Sequence, residues 1–259
     1  MTFEISTRID VVPAAPEFTG ARPAVIVFPG GAYRFHAPHE GLGIAHWLAS
    51  IGVHAFHFRY PFPSEFDWPG PLVAARQALS WVRAHDLDSG LDIGKVGVYG
   101  SSAGGHLAGL LAAGAVLSFE ELQTQPEKPD FSILAYTVAD VRLLPEAPVE
   151  TMTNGRLHLR DEFSPARHIS AGMGPVFAWC PLNDPPGLPN TLELARACAA
   201  AGVSCELHIF PEGYHGIGLA DGVSWGEAPE GERMPPMTSI PHTASWTGLC
   251  ERWLTDVVA

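Results

Sequence analysis

Gly100-Ser-Ser-Ala-Gly104 sets a serine hydroxyl, that of Ser102, between two glycines, directly after the apolar run Val96–Tyr99 and directly before a stretch of helical spacing. A strand that turns this sharply into a helix needs small residues two positions to either side of the turn. It leaves the central hydroxyl at a helix N-terminus, where unpaired N–H groups favour developing negative charge. Those are the demands of a nucleophile in acyl transfer, and the Ala103 N–H then aims at the oxyanion. Ser101 is a competing hydroxyl, but the five-residue pattern centres on Ser102.

A serine needs a base to become nucleophilic. His215, in Phe210-Pro-Glu-Gly-Tyr-His-Gly-Ile217, and Asp184, in Cys180-Pro-Leu-Asn-Asp-Pro-Pro-Gly187, each follow an apolar run. The imidazole would take the serine proton and pass it to the leaving group, while the carboxylate would hold its tautomer. Asn183 cannot replace that charge, and Glu212 is the one rival acid near His215. A second oxyanion donor is expected from Pro29-Gly-Gly-Ala-Tyr33, whose small residues let backbone N–H groups approach a carbonyl; Gly31 and Ala32 are the candidates. Tyr33 and Tyr214 are candidate substrate contacts by chain order, and spacing leaves open whether they line a pocket or fill the core.

These residues need a scaffold that brings loops together. Apolar or β-branched runs at Ala24–Phe28, Val53–Phe58, Val96–Tyr99, Phe131–Thr137, Val176–Trp179 and Ser204–Phe210 read as buried strands. Helical spacing falls between and after them, at Gly41–Ser50, Leu72–His85, Ala103–Leu117, Leu192–Ala201 and Ala244–Val257. Continuously apolar strands alternating with helices predict a largely parallel sheet covered on both faces. The more alternating segment Phe3 to Val12 is expected to add edge strands, and Asp140 to Arg160 and Gly216 to Pro241 read as long loops.

Composition narrows the function classes. The 259 residues, 46% hydrophobic and only 17% charged, predict a single domain over 1–259. A formal net charge of −13 repels phosphate backbones and anionic lipid, which argues against nucleic-acid and membrane partners. No apolar run reaches the length of a membrane span and no secretion signal opens the sequence, so a cytoplasmic location is expected. Four irregularly spaced cysteines suggest free thiols, and twelve scattered histidines form no metal-ligand pattern, so neither metal nor cofactor is expected. No G-x-G-x-x-G or G-K-[ST] supports a nucleotide site. Self-association into a homo-oligomer is left open.

With those positions assigned, the chain resembles the esterase/lipase branch of the α/β-hydrolases that includes acetylxylan esterase-like and feruloyl esterase-like enzymes. The likeness rests on Pro29-Gly-Gly-Ala-Tyr33, Phe58-Arg59, Trp81-Val-Arg83, Gly100-Ser-Ser-Ala-Gly-Gly-His-Leu-Ala108, Phe163-Ser-Pro-Ala-Arg-His168, Glu206-Leu-His-Ile-Phe210 and Gly213-Tyr-His-Gly216. It implies the α/β-hydrolase fold: a mostly parallel sheet of about eight strands, helices on both faces, and no large separate cap domain. The family's nucleophile falls on Ser102, its acid on Asp184 and its histidine on His215. One departure stands at the acid, where Asp184-Pro-Pro-Gly-Leu-Pro189 is a residue longer than the usual Asp-x-x-Val-Pro. The implied activity is cofactor-free hydrolysis of a small-molecule ester, of short acyl chain and acetyl above all, through an acyl-enzyme, with a carbohydrate as one candidate carrier of the acyl group. An amidase such as an arylformamidase, or a non-catalytic binding protein of the same fold, are the alternatives.

Overall fold

The computed structural model describes residues 1–89, 93–120 and 126–258. Its strands are β1 (Ile9–Val12), β2 (Arg22–Phe28), β3 (His54–Phe58), β4 (Ile93–Ser101), β5 (Ser132–Ala135), β6 (Val176–Pro181) and β7 (Cys205–Phe210). They form one seven-stranded sheet in the order β1-β3-β2-β4-β5-β6-β7, with β1 antiparallel to β3 and every other neighbour parallel. The seven strands among the described residues agree with the expected sheet of about eight; the N-terminal segment supplies one edge strand, and Ile5–Thr7 winds into a 3-10 turn.

The helices are α1 (Leu42–Ser50), α2 (Gly70–Ser89), α3 (Ser102–Ala113), α4 (Glu146–Thr153), α5 (Gly187–Ala201), α6 (Pro241–Ala244) and α7 (Trp246–Val258). Alternate side chains of β2 show how the sheet is covered. Ala24, Ile26 and Phe28 belong to one buried cluster with Leu72 and Leu79 of α2, Leu107 of α3 and Leu194 of α5. Val25 and Val27 belong to a second cluster with Ile44 and Leu48 of α1 and Trp246 and Leu254 of α7. Period-two side-chain alternation in a strand buried on both faces therefore produces two cores from one continuously apolar run. Among the described residues, no helix is long and apolar enough to cross a membrane.

Two expectations about boundaries need correction. Asp140 to Arg160 is not all loop: it contains α4, whose Pro148 lies in the first turn, where a missing N–H costs nothing, and whose Val149, Met152 and Thr153 are buried at helical spacing. Helix α5 begins at Gly187, five residues before Leu192, because Pro185 and Pro186 favour the helical φ and the Asp184 side chain accepts the Gly187 N–H. The segment Gly216 to Pro241 does run without helix or strand up to α6, with a single isolated bridge between Asp221 and Ser239.

The chain passes from β2 to β3 on one side and then to β4 on the other side of β2. Strand order therefore reverses between β2 and β4, and such a switch point opens a crevice at the carboxyl ends of the two strands. The Pro29–Tyr33 loop leaves β2 at that crevice, and Ser102 leaves β4 there.

Candidate active site

Ser102 sits in the turn between β4 and α3 with φ +51°, a left-handed conformation that costs a non-glycine residue roughly 1–3 kcal/mol. The neighbouring glycines make that turn sterically feasible. A Cβ at Gly104 would lie 2.0 Å from the Phe28 carbonyl oxygen, which is backbone and cannot swing away, and one at Gly100 would lie 2.6 Å from the Gly104 carbonyl oxygen. Gly104→Ala is accordingly expected to destabilise the protein by at least about 3 kcal/mol, a fall in Tm of roughly 6–12 °C. A melting curve within 2 °C of the native one would show that α3 can slide away from β2. Ser101 is fully buried and takes no part in the cavity described below.

The Ser102 Oγ lies 2.7 Å from His215 Nε2. On the other side of the ring, Nδ1 lies 3.0 and 2.9 Å from the two Asp184 carboxylate oxygens. A carboxylate only accepts, so the ring proton resides on Nδ1, and Nε2 presents its lone pair to the serine hydroxyl. Asp184 is completely buried, and its Oδ1 also accepts the Gly187 N–H at 2.8 Å. The longer acid loop thus closes on its own carboxylate. Glu212, the rival, is exposed, and its carbonyl accepts the Thr243 hydroxyl. Burial depresses the basicity of His215, but the Asp184 hydrogen bond and charge, together with the charge of Glu40, outweigh it and hold the pKa above the ordinary histidine value.

The loop after β2 has Ala32 at φ +56° and Tyr33 at φ +59°. Gly31 turns it, its carbonyl accepting the N–H groups of Arg34 and Phe35 at 3.0 and 3.3 Å. Ala32 and Ala103 face the same cavity as Ser102 and His215. The Ala103 N–H belongs to the first turn of α3 and has no intrahelical acceptor, so it is available to a ligand oxygen. Gly31 is a turn-former here and does not line the cavity.

Of the two tyrosines singled out as substrate contacts, neither lines that cavity. Tyr33 is 2% exposed, and its hydroxyl donates to His106 Nδ1 at 2.7 Å, while His106 Nε2 donates to the Phe163 carbonyl at 2.6 Å. Burial pulls the His106 pKa down to about 4, so the ring stays neutral and this tautomer persists. The pair therefore ties the loop after β2 to α3, the helix that begins with Ser102. The Tyr214 hydroxyl accepts the Thr238 N–H at 3.0 Å and steadies the long loop before α6.

One cluster had no local signature in the sequence. His39 and Glu40, in the 3-10 turn Pro38–Glu40, are both 3% exposed. His39 Nε2 donates to the Gly216 carbonyl at 2.8 Å. Glu40 Oε1 accepts the Tyr136 hydroxyl at 2.7 Å, and that hydroxyl oxygen accepts the Gly218 N–H at 3.0 Å. Both sides of the loop immediately after His215 are thereby held, and the Tyr136 ring packs edge-on against the His215 ring with centroids 5.4 Å apart. The one available hint was a glutamate within the otherwise uncharged run Ala37-Pro-His-Glu-Gly-Leu-Gly-Ile-Ala45.

Ser102 and His215 open into a cavity of about 730 Å³ that continues between Ala32 and Arg34 on one side and α4 with the turn before it on the other. Arg34 reaches across its rim to Glu232 of the long loop at 3.0 Å. Among the described residues, no group of three or more His, Cys, Asp or Glu side chains could hold a metal ion.

Comparison with known proteins follows the same lines. The BD-FAE family model matches residues 11–177. The acetylxylan esterase of Xylanibacter ruminicola is 28% identical over 215 residues, covering 79% of this chain and 42% of its own. The chain spans less than half the length of the first curated relatives it matches. Among solved structures, the acetyl ester-xyloside bifunctional hydrolase of Caldicellulosiruptor lactoaceticus superimposes with a TM-score of 0.77 at 30% identity, covering 95% of this chain and 87% of that one. The carboxylesterase Cest-2923 of Lactobacillus plantarum gives 0.79 at 22% identity, over 97% and 93% of the two chains, a likeness of fold.

Proposed function

This chain belongs to the BD-FAE family of the α/β-hydrolases, and from that premise we propose that it is a serine carboxylesterase of small-molecule esters, with Ser102 as nucleophile, His215 as general base and Asp184 as the orienting acid. The observation that carries the reading is the unbroken hydrogen-bonded relay from the Ser102 hydroxyl through His215 to a fully buried Asp184, at the mouth of a cavity. Its relatives named as esterases support the same reaction class.

In the first half-reaction the Ser102 oxygen attacks the ester carbonyl carbon while its proton passes to His215 Nε2, and the carbonyl oxygen becomes an oxyanion facing the Ala32 and Ala103 N–H groups. Collapse breaks the bond to the alcohol oxygen, which takes the proton from His215 and leaves an acyl-Ser102. Water then repeats the sequence, giving the acid and free serine. Every step balances with water alone, so the reading requires no cofactor. Acetyl is the acyl group to test first, in keeping with the acetyl esterases among the relatives. One domain over residues 1–259 and a cytoplasmic setting complete the reading; the four cysteines, all free thiols, support the latter.

Parallel assays on p-nitrophenyl acetate and N-formylkynurenine, with labelling by a fluorophosphonate probe, test it. Ester turnover with labelling is expected; turnover of the formamide alone would make the protein an amidase, and absence of both turnover and labelling would make it a binding protein.

The reading also has a pH signature. His215 must be neutral to act as base, so kcat/KM falls as pH drops through its pKa. Because that pKa is raised, the acid limb should be centred above the ordinary histidine value of about 6.5. The groups facing the ring are Ser102, Asp184, Tyr136 and, through Tyr136, Glu40. Glu40→Gln removes one of the negative charges that favour the imidazolium, so the limb should move to lower pH. A limb that stays in place would deny Glu40 any electrostatic part.

A further inference from the structure

We infer that the cavity beside Ser102 takes an apolar group, so that the larger half of the substrate ester is an alkyl or aryl group and not a sugar. This rests on the esterase reading and adds the substrate class. The cavity is far larger than an acetyl group requires, about 730 Å³, within the range that holds a drug-sized ligand. Its walls away from Ser102 and His215 are built by Val138, Leu143, Leu144, Pro148, Met152 and Pro186. Among the described residues lining it, none is Asp, Glu, Asn or Gln and none is Phe, Tyr or Trp.

A sugar brings several hydroxyls, each of which must trade its water for a protein partner. Carboxylate and amide side chains and aromatic faces are the usual means, and these walls offer neither. Outside the reacting centre, the polar side chains lining the cavity are Thr151 and Arg34, and one guanidinium nitrogen of Arg34 is held by Glu232 at the rim. Each hydroxyl buried without a partner lowers affinity by about tenfold or more. An apolar chain has the opposite balance, since each methylene withdrawn from water favours binding by roughly fourfold.

A second observation agrees. Leu143 is 45% exposed and Pro145, Ala147 and Pro148 are exposed with it, so one wall of the cavity presents apolar surface to water at the very place where a ligand would cover it. Helix α4 and the turn before it, which supply that wall, are the elements that set which ester fits.

The test compares kcat/KM in two series. One lengthens the acyl chain on p-nitrophenol from two to ten carbons; the other holds the acyl group at acetyl and varies the alcohol among 1-naphthol, 1-hexanol and xylose. A rise of about a hundredfold or more from the acetyl to the hexanoyl ester places the apolar group on the acyl side. A similar excess of naphthyl and hexyl acetate over acetylated xylose places it on the alcohol side. Ala147→Trp, which narrows the cavity, and Leu143→Asp, which charges its wall, should each cut the preference for the larger apolar ester by about tenfold relative to p-nitrophenyl acetate. Both positions are exposed, so folding is not at stake.

Acetylated xylose turned over as fast as the apolar acetates, together with an acyl series that is flat or falls beyond two carbons, would overturn this inference. Fluorophosphonate labelling and p-nitrophenyl acetate turnover in the same preparation would then leave the esterase reading standing. Loss of labelling and of all ester turnover would remove both.

Discussion

Ser102→Ala is expected to lower kcat on p-nitrophenyl acetate by about 10⁶-fold and to abolish fluorophosphonate labelling, with the fold intact. The size follows from how the group acts. In the proposed mechanism the serine oxygen is the atom that becomes bonded to the acyl carbon, so its removal would delete the covalent route and not merely weaken it. His215 Nε2, left without the hydroxyl 2.7 Å away, could at best activate a water in its place. Other serine hydrolases retain a residual rate over water from the oxyanion donors and substrate binding alone, and the same remainder is expected here. Alanine also suits the strained turn no worse than serine does, since the φ of +51° and the flanking glycines are set by the close approach of α3 to β2. Equal labelling of the native and substituted proteins would move the nucleophile elsewhere. His215→Ala should cost about as much, and a double substitution little more, because triad members work as a unit.

Asp184→Asn is the second large effect, about 10⁴-fold in kcat. The carboxylate accepts from two sides at once: the His215 ring N–H, within 3.0 Å of both oxygens, and the Gly187 N–H at 2.8 Å on Oδ1. An amide keeps one acceptor oxygen and gains an NH₂; with the oxygen in the Oδ1 place, beside Gly187, the NH₂ takes the Oδ2 place, 2.9 Å from His215 Nδ1. If the NH₂ faces His215, the ring must move its proton to Nε2, and then it has no lone pair for the serine hydroxyl. If the NH₂ faces Gly187, two donors meet in a fully buried place, which costs stability. Beyond the tautomer, the substitution removes the charge that steadies the imidazolium during proton transfer, and the acid limb of the pH profile should shift downward with it. A loss of less than about tenfold would point to a different acid. Glu212 is the sequence rival, and its exposure in the structure makes it a poor one.

These two effects differ in kind from those of Glu40 and Gly104. Glu40 acts on His215 through Tyr136 and through space, so it should move a pKa more than a rate. Gly104 touches no reacting group, so its substitution should be read first in the melting curve. Keeping the readouts separate allows the chemical and the structural contributions of one small region to be told apart.

The chemistry that needs adjacent residues was legible along the chain. A five-residue glycine-flanked turn carries its own steric demand, so Ser102 and the Ala103 N–H could be picked from the sequence alone, as could the apolar runs of β2, β3, β4, β6 and β7 within a few residues. His215 and Asp184 were legible as residues at the ends of apolar runs in the right order. Helix α4 was not, because Pro148 and the acidic residues around it break the apolar period, and only the packing of Val149 and Met152 against the domain makes the segment helical. The places of Tyr33 and Tyr214 stayed open for a related reason: a tyrosine reads the same whether its hydroxyl meets a substrate, a buried histidine as Tyr33 does, or a backbone N–H as Tyr214 does.

What the chain order determined, then, was local: which backbone turns are sterically allowed, which runs must be buried, and which residue types stand ready for acyl transfer. Tertiary structure alone decided that a carboxylate and an imidazole 31 residues apart meet a hydroxyl 113 residues from the latter, that Glu40 and His39 grip the histidine loop, and that the cavity walls are apolar. The physical reason is range. Backbone sterics and burial act between near neighbours and leave a mark in composition and period, whereas a hydrogen bond between distant side chains depends on where the crossovers of the sheet bring their loops together, and no local pattern records that meeting.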